Sequence, residues 1–288
     1  MCECGSFHTN SRVDPTRTTA LRNRWEADFN RRWVRLEAAI TREVQKKDGF
    51  GLSNNRRLFD FPTRQSKVSA FMAWMQKELD ATIFDGTMGL ARSVAVQQSW
   101  MNTYVQSAYR RGLLNSATQL RQRGARVGGE FIEAAFLRPI HADAIGIVYT
   151  RTYEDLRAVT KAMDEGISKV LAEGLADGRS PLDIARSISN RVDKIGRTRA
   201  KLIARTETAY AHSEAQLNLF QEAGLQNVGV MAEMLTAGDN LVCPECQAFA
   251  EAGPYPISHA RGQLPLHPNC RCAWIPADVG NLILGGNY

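Results

Sequence analysis

The chain has 288 residues, of which 44% are hydrophobic and 23% are charged, with 22 Gly and 10 Pro. This length predicts about two domains, and the ordinary composition excludes wholesale disorder, a collagen-like repeat and a disulfide scaffold. No apolar run reaches the roughly 18 residues of a membrane-spanning helix, and the first residues lack the basic segment and apolar stretch of a secretory signal. We therefore expect a globular protein that is made in the cytosol and binds no membrane.

Basic charge is concentrated in the first half of the chain. Residues 1–138 contain 22 Lys and Arg against 13 Asp and Glu, whereas residues 139–288 contain 14 against 17. No acidic residue lies between Asp85 and Glu130. This asymmetry predicts contact with a polyanion or an acidic protein surface, and a solvated basic face is the alternative. The candidate residues for binding nucleic acid or a partner are Arg110, Arg111, Arg121, Arg123 and Arg126.

The first predicted element is a long amphipathic helix over residues 21–44. Its apolar residues recur every three or four positions, and arginines occupy the other faces. We interpret this apolar stripe as core, with a docking surface for a partner as the alternative. The stripe consists of Leu21, Trp25, Phe29, Trp33, Leu36, Ile40 and Val44. Asp48-Gly49 is expected to end this helix, and residues 64–84 and 88–123 predict further helices.

A domain boundary is predicted at Arg138-Pro139, because proline discourages the continuation of a helix. It divides the chain into a basic helical N-terminal region, residues 1–138, and a C-terminal α+β domain, residues 139–288. The predicted fold class is therefore α+β and mainly α.

The second half contains clear helix signals. Thr152 and Asp155 resemble a capping box that begins a helix, and Gly178 is expected to end it. Ser180-Pro181 predicts the start of the next helix, and a third helix is predicted from about Thr198 to Ala223. Residues 228–235 are predicted as a strand, and the rest of the chain predicts short strands and turns.

Four cysteines and a histidine crowd into 30 residues near the C-terminus. Cys243 and Cys246 form a Cys-x2-Cys pair, and His267 precedes Cys270 by three positions. A Cys-x2-Cys turn presents two thiolates to one tetrahedral ion, and four Cys or His ligands close its coordination shell. This predicts one structural zinc that staples the C-terminal segment, with reduced, inert thiols as the alternative. Cys272 is a fifth candidate that would replace Cys270 or His267 if the turn ran the other way.

A catalytic zinc site must also be considered. His212, Glu214 and the Cys243/Cys246 pair imitate the H-x-E and C-x-x-C motifs of zinc nucleobase deaminases. In those enzymes proline precedes the first cysteine, whereas here Pro244 follows it, and the other candidate ligands would have no role. We therefore expect no enzymatic activity.

The C-terminal motifs resemble the phage head morphogenesis family, the minor head proteins typified by the F protein of phage Mu. The resemblance covers about residues 151–276, and residues 14–52 are more loosely similar. It rests on four segments: LIARTETA at 202–209, LTAGD at 235–239, VCPEC at 242–246 and LHPNCRC at 266–272.

The resemblance implies a minor capsid protein of a tailed phage, made in the bacterial cytoplasm and located in the virion head near the portal. Its implied partners are the portal protein, the major capsid or scaffold protein, and packaged DNA bound through phosphates. Arg205 and Glu207 lie two positions apart on a helix and do not share a face, so we interpret both as structural. The rival functions are a sequence-nonspecific DNA-binding module and a zinc-dependent enzyme acting on nucleic acid.

Overall fold

A computed structural model describes residues 14–52, 63–123, 127, 129–135, 137–224 and 231–277. It confirms the predicted fold class, because long helices dominate and a small three-stranded sheet follows them. The helices are α1 (Thr19–Ile40, extended by a π-helical turn Thr41–Lys46), α2 (Arg64–Ile83), α3 (Arg92–Gln98), α4 (Asn102–Gln122), α5 (Gly129–Ala135), α6 (Pro139–Ala176), α7 (Pro181–Gly224), α8 (Pro244–Glu251) and α9 (Ile257–Ala260). The strands are β1 (Met231–Leu235), β2 (Tyr255–Pro256) and β3 (Ala273–Pro276). Among the helices described, none is long and apolar enough to cross a membrane.

The first helix follows its sequence signals closely. All seven residues of the predicted stripe are buried, which confirms that the stripe is core. Asp14 stabilises the start of the helix: its Oδ2 accepts hydrogen bonds from the backbone amides of Thr18 at 2.9 Å and Thr19 at 2.8 Å. A carboxylate at this position satisfies amides that have no partner within the helix. After the π-helical turn the backbone reverses at Asp48, where φ is 48°.

The chain packs as two compact units that interleave along the sequence. The first contains the described parts of residues 1–24, 101–152 and 202–288, and the second contains those of 25–100 and 153–201. Helix α6 begins at Pro139, where the domain boundary was predicted. Each unit nevertheless draws residues from both sides of that position, and the division into residues 1–138 and 139–288 stays a prediction.

The second unit has an aromatic core. The rings of Phe29 and Trp100 pack edge to face at 4.8 Å between centroids, and those of Phe50 and Phe71 do so at 5.2 Å. The guanidinium group of Arg32 lies 4.2 Å above the Trp100 ring, a favourable cation–π position. Trp74 on α2 joins this core, with its ring centroid 5.6 Å from that of Phe50.

The first unit contains the sheet, whose strand order is β2-β1-β3 with both pairs antiparallel. Trp274 on β3 is fully buried and pairs in register with Met234 on β1. Gln216 on α7 binds the Trp274 backbone twice: its Nε2 donates to the carbonyl at 2.7 Å, and its Oε1 accepts from the amide at 3.0 Å. A buried side-chain amide therefore fixes the sheet against the long helix.

Several predicted boundaries were wrong. Helix α6 runs through Thr152, whose hydroxyl donates to the Val148 carbonyl at 2.8 Å and therefore caps no helix start. The two helices predicted on either side of Thr198 are one continuous helix, α7. The region predicted as a helix over 88–123 is interrupted at Ser99, which is extended. Helix α8 was missed, and residues 228–230 of the predicted strand lie outside the described residues.

Candidate metal centre

The first pair of thiols is placed by the start of helix α8. Cys243 has extended dihedral angles and is the N-cap, Pro244 follows at the first helical position, and the Cys243 thiol accepts a hydrogen bond from the Cys246 amide at 3.4 Å. Proline is favoured at this position because it has no amide hydrogen to leave unpaired. The sequence Cys-Pro-Glu therefore signalled a helix start, where the spacing alone had predicted only a metal-binding turn.

The second group of donors approaches this pair from the loop before β3. The Nε2 atom of His267 lies 3.2 Å from the Cys243 sulfur and 3.1 Å from the Cys246 sulfur, and the Cys246 and Cys270 sulfurs are 3.9 Å apart. Ligand atoms around a tetrahedral zinc with Zn–S bonds of about 2.3 Å are separated by about 3.8 Å. The Cys246–Cys270 distance agrees with this value, whereas the two His267 distances are shorter. The soft donor set is of the kind that binds zinc.

All five predicted ligands converge in the folded chain. Cys243, Cys246 and His267 bring their donor atoms within 4.8 Å of one another, and so do Cys246, Cys270 and Cys272. The four cysteines are buried, and His267 is half-buried. This cluster could hold a metal ion, with Cys246 common to both triplets.

Hydrogen bonding prepares His267 to act as a ligand. Its Nδ1 atom lies 2.9 Å from the Pro268 carbonyl oxygen, so Nδ1 donates its hydrogen there and Nε2 carries the lone pair that faces the sulfurs. Burial acts to lower the pKa of His267, but the Pro268 hydrogen bond and the negative charges of Cys270 and Cys243 outweigh it and raise the pKa. These surroundings therefore favour a positive group beside the sulfurs, which is either a proton on Nε2 or a metal ion bound there.

The thiols also form an electrostatically coupled group. Hydrogen bonds from Cys246 and then Cys272 lower the pKa of Cys270 to about 2, although burial opposes this effect. The pKa of Cys246 is raised, mainly because its thiol is hydrogen-bonded to Cys270. One thiolate is therefore stabilised at the expense of its neighbours, and a divalent cation would stabilise the others as thiolates.

Charged residues hold the loops of the cluster in place, and two of them, Arg271 and Asp239, were not predicted from the sequence. Arg271 is nearly buried and binds both carboxylate oxygens of Asp239, at 2.8 and 2.6 Å. Arg205 Nη1 donates to Asn269 Oδ1 at 2.8 Å. Their positions in the sequence could have indicated this role, because Arg271 lies between two candidate ligands and Asp239 is the last residue of the LTAGD segment.

Arg205 and Glu207 make contacts with other parts of the first unit, and their interpretation as structural residues stays a prediction. Arg205 binds the loop that carries Asn269, whereas Glu207 is fully buried and accepts a hydrogen bond from Arg151 on α6 at 3.1 Å. The two side chains therefore point to different neighbours.

The residues of the deaminase scheme have other partners. Glu214 accepts hydrogen bonds from Arg261 Nη1 at 2.8 Å and from the Gly262 amide at 3.1 Å. His212 is buried, and Asn115 Nδ2 lies 3.5 Å from its Nε2. Among the described residues, His212 is in neither group of candidate metal ligands.

Four of the five arginines predicted to bind nucleic acid or a partner lie in the described part of α4 or just after it. Arg110 forms an ion pair with Glu133, Arg111 Nη1 donates to the Arg17 carbonyl at 3.0 Å, and Arg121 Nε donates to the Val127 carbonyl at 2.6 Å. Arg123 is half-buried, and Arg126 lies outside the described residues. Arg110 and Arg121 remain exposed, and binding by this group stays a prediction.

Comparison with known proteins agrees with the resemblance seen in the motifs. Residues 165–275 match the family described as Phage Mu protein F like protein, and this segment is less than half of the chain. It includes the part of α7 that carries Arg205 and Glu207, together with the whole Cys/His cluster. The match confirms the similarity to phage head morphogenesis proteins. No curated protein and no solved structure shows significant similarity to the chain.

Proposed function

We propose that this chain is a minor capsid protein of a tailed phage that takes part in head morphogenesis. The observation that carries the proposal is the family match over residues 165–275, which supports association with the virion. We place the protein in the head interior near the portal, after synthesis in the bacterial cytoplasm. Its partners in this proposal are the portal protein and the major capsid or scaffold protein during procapsid assembly.

The role that we propose is structural and not enzymatic. The two acidic residues of α7 that could suggest catalysis both form ion pairs within the fold. Glu207 pairs with Arg151, and Glu214 pairs with Arg261. We propose that one zinc ion binds the Cys/His cluster and staples a segment whose strands have only two to five residues each. The donor set supports zinc because buried thiolate and imidazole ligands are typical of its structural sites.

Contact with packaged DNA is the finer part of the proposal. The exposed arginines of α4 lie between Asp85 and Glu130, in residues 86–129, which contain no acidic residue. Exposed arginines bind DNA phosphates whatever the base sequence. In this proposal they assist the packaging or ejection of DNA only through their positive charge. The rival function, a DNA-binding module outside the virion, is favoured by the same charge and by no other feature.

The deciding experiment is quantitative mass spectrometry of nuclease-treated, gradient-purified virions, compared with a lysate of infected cells. We expect a few copies of the chain in each particle, with the portal protein as the internal standard. A chain that is abundant in the lysate and absent from particles would remove the capsid role and favour an assembly factor or an enzyme. Virions disrupted in stages should release the chain together with the portal.

A further inference from the structure

We infer that the outer face of α1 and its π-helical extension is a second phosphate-binding surface, which lies along duplex DNA. Its side chains form one line of positive charge: Arg31, Arg35, Arg42 and Lys46. This inference rests on the DNA contact of the proposed function, and it adds to the arginines of α4 a surface on the second compact unit. The contact depends on charge alone and therefore shows no preference for any base sequence.

The four cations lie on one face of the helix. They are separated by 4, 7 and 4 positions, and residues at these spacings share a face because an α-helix has 3.6 residues per turn. All four are exposed, whereas the opposite face is buried through Trp33, Ile40 and Val44. At 1.5 Å per residue, the line of charge is about 22 Å long.

The acidic residues of this helix leave most of the line unneutralised. Asp28 forms an ion pair with Arg31. Glu43 is engaged outside the line, since it pairs with Lys47, and Glu37 is hydrogen-bonded to a side chain of α7. The outer face therefore keeps a net positive charge.

The remaining three cations are available to an external anion. In the described part of the chain, the side chains of Arg35, Arg42 and Lys46 form no ion pair. Two arginines of α4 are already engaged, because Arg111 and Arg121 donate to backbone carbonyls at 3.0 and 2.6 Å. The structure therefore leaves more unpaired positive charge on α1 than the sequence motifs of α4 had indicated.

Duplex DNA matches this line of charge better than an acidic protein does. DNA presents one phosphate charge for about every 1.7 Å of its axis, so several phosphates face a helix of this length. Protein interfaces concentrate apolar residues at their centre and charges at their rim, whereas here the charges run along the middle and the exposed Val34 lies to one side. Three of the four cations are arginines, whose planar guanidinium groups bind phosphate through paired hydrogen bonds.

The test measures the affinity of the full chain for a short duplex at several salt concentrations. The test variant is Arg35→Ala/Arg42→Ala/Lys46→Ala. The control, Arg179→Ala/Arg186→Ala/Arg197→Ala, removes three exposed cations that the same unit pairs with aspartates. Arg31 is kept so that both variants lose three charges. We expect the test variant to lose about tenfold in affinity, and its slope of log affinity against log salt to fall by about one for each lost contact. The control should change little, and both variants should keep the melting temperature of the unsubstituted chain.

Acetylation of lysines gives a second readout that does not depend on the variants. Bound duplex should slow the acetylation of Lys46 in the unsubstituted chain. Lys169 on α6, whose side chain is 77% exposed, should react at the same rate with and without the duplex.

Three outcomes would overturn the inference alone. These are equal losses of affinity and slope in the two variants, acetylation of Lys46 that the duplex does not slow, and a test variant that keeps duplex binding but loses binding to polyglutamate. The last result would mean that the surface recognises an acidic protein. An unsubstituted chain that binds no duplex would overturn the DNA contact of the proposed function as well as this inference, and the capsid role would still be decided by the analysis of virions.

Discussion

Arg151 on α6 donates a hydrogen bond from Nε to the fully buried carboxylate of Glu207 on α7 at 3.1 Å. The same guanidinium group lies 4.2 Å above the ring of Tyr210, so one arginine engages two side chains that are three positions apart on α7. Glu207 is the acidic residue of the LIARTETA segment, and Arg151 supplies a positive charge beside its buried carboxylate.

We expect Arg151→Ala to destabilise the chain by about 2 kcal/mol, because it leaves a buried carboxylate without its cation. We expect no larger loss of stability, because the Arg151 side chain is 41% exposed and solvent screens the ion pair. Glu207→Gln in the Arg151→Ala background should recover about half of the loss, since a neutral amide is easier to bury. Urea unfolding of the single and double variants gives the coupling energy, and additive effects would contradict the pairing.

An exposed pair provides the control. Arg186 and Asp183 on α7 have side chains that are 63% and 55% exposed. Arg186→Ala should change the free energy of unfolding by less than about 0.5 kcal/mol. A cost as large as that of Arg151→Ala would mean that the substitutions act through helix propensity and not through burial.

Two glycines on helices, one in close contact with another helix and one without neighbours, give a matched prediction about stability. A Cβ atom on Gly112 of α4 would lie 2.4 Å from the His212 carbonyl oxygen and 2.7 Å from the Ala215 Cβ atom, whereas one on Gly146 of α6 would meet nothing within 4 Å. We expect Gly112→Ala to destabilise the chain by about 2 kcal/mol through overpacking. Gly146→Ala should stabilise it by up to about 1 kcal/mol through helix propensity. Thermal unfolding of both variants checks the prediction, and equal shifts would show that α4 and α7 are not in close contact.

Removal of the metal tests whether the proposed zinc ion stabilises the fold. We expect Cys243→Ser to lower the zinc content and the melting temperature together, because binding to a structural site contributes directly to folding. Incubation of the unsubstituted protein with a strong chelator should lower the melting temperature to a similar value. Cys2→Ser, which changes a cysteine that is not among the predicted ligands, serves as the control. Unchanged zinc content and melting temperature in Cys243→Ser would mean that the thiols are inert.

The parts of the structure that could be predicted depend on short-range patterns. The stripe from Leu21 to Val44 needed only helical periodicity, and the Cys/His cluster needed only ligand type and spacing. Both predictions agree with the structure because the residues that define each pattern are close in sequence: those of the stripe share one helix face, and those of the cluster lie in two short turns. The helical segment also ends at Lys46, close to the predicted end at Asp48-Gly49.

The errors arose where a local signal is overridden by tertiary contacts. Thr152 looked like a cap but donates to Val148 within α6. A new helix was predicted to start near Thr198, yet α7 runs through this region without a break. At Gly196 the helix packs against the Trp33 ring, which a Cβ atom would approach to 2.8 Å. The partners of Glu207 and Gln216 are more than 50 residues away in sequence, so no spacing rule could have identified them.

Stability should also depend on His212. Burial lowers the pKa of this histidine from 6.5 to about 4, so between these two pH values the unfolded chain binds more protons than the folded chain. The stability is therefore complete above pH 6.5 and is lost as the pH falls towards 4, by up to about 3 kcal/mol. His212→Gln should flatten the pH dependence of the free energy of unfolding in this window. Parallel curves for the two proteins would show that His212 is not the group responsible.

The proposed DNA contact is tested by matched charge removal. We expect the triple variant Arg110→Ala, Arg121→Ala and Arg123→Ala to bind duplex DNA more weakly than the unsubstituted chain, whatever the sequence of the duplex. The slope of log affinity against log salt concentration should also fall, by about one for each phosphate that an arginine no longer neutralises. The control triple variant, with Arg179, Arg186 and Arg197 changed to Ala, removes the same charge from exposed residues in or just before α7 that are ion-paired with aspartates. If both triple variants show the same decrease in affinity and slope, binding follows net charge alone and the α4 arginines have no special role.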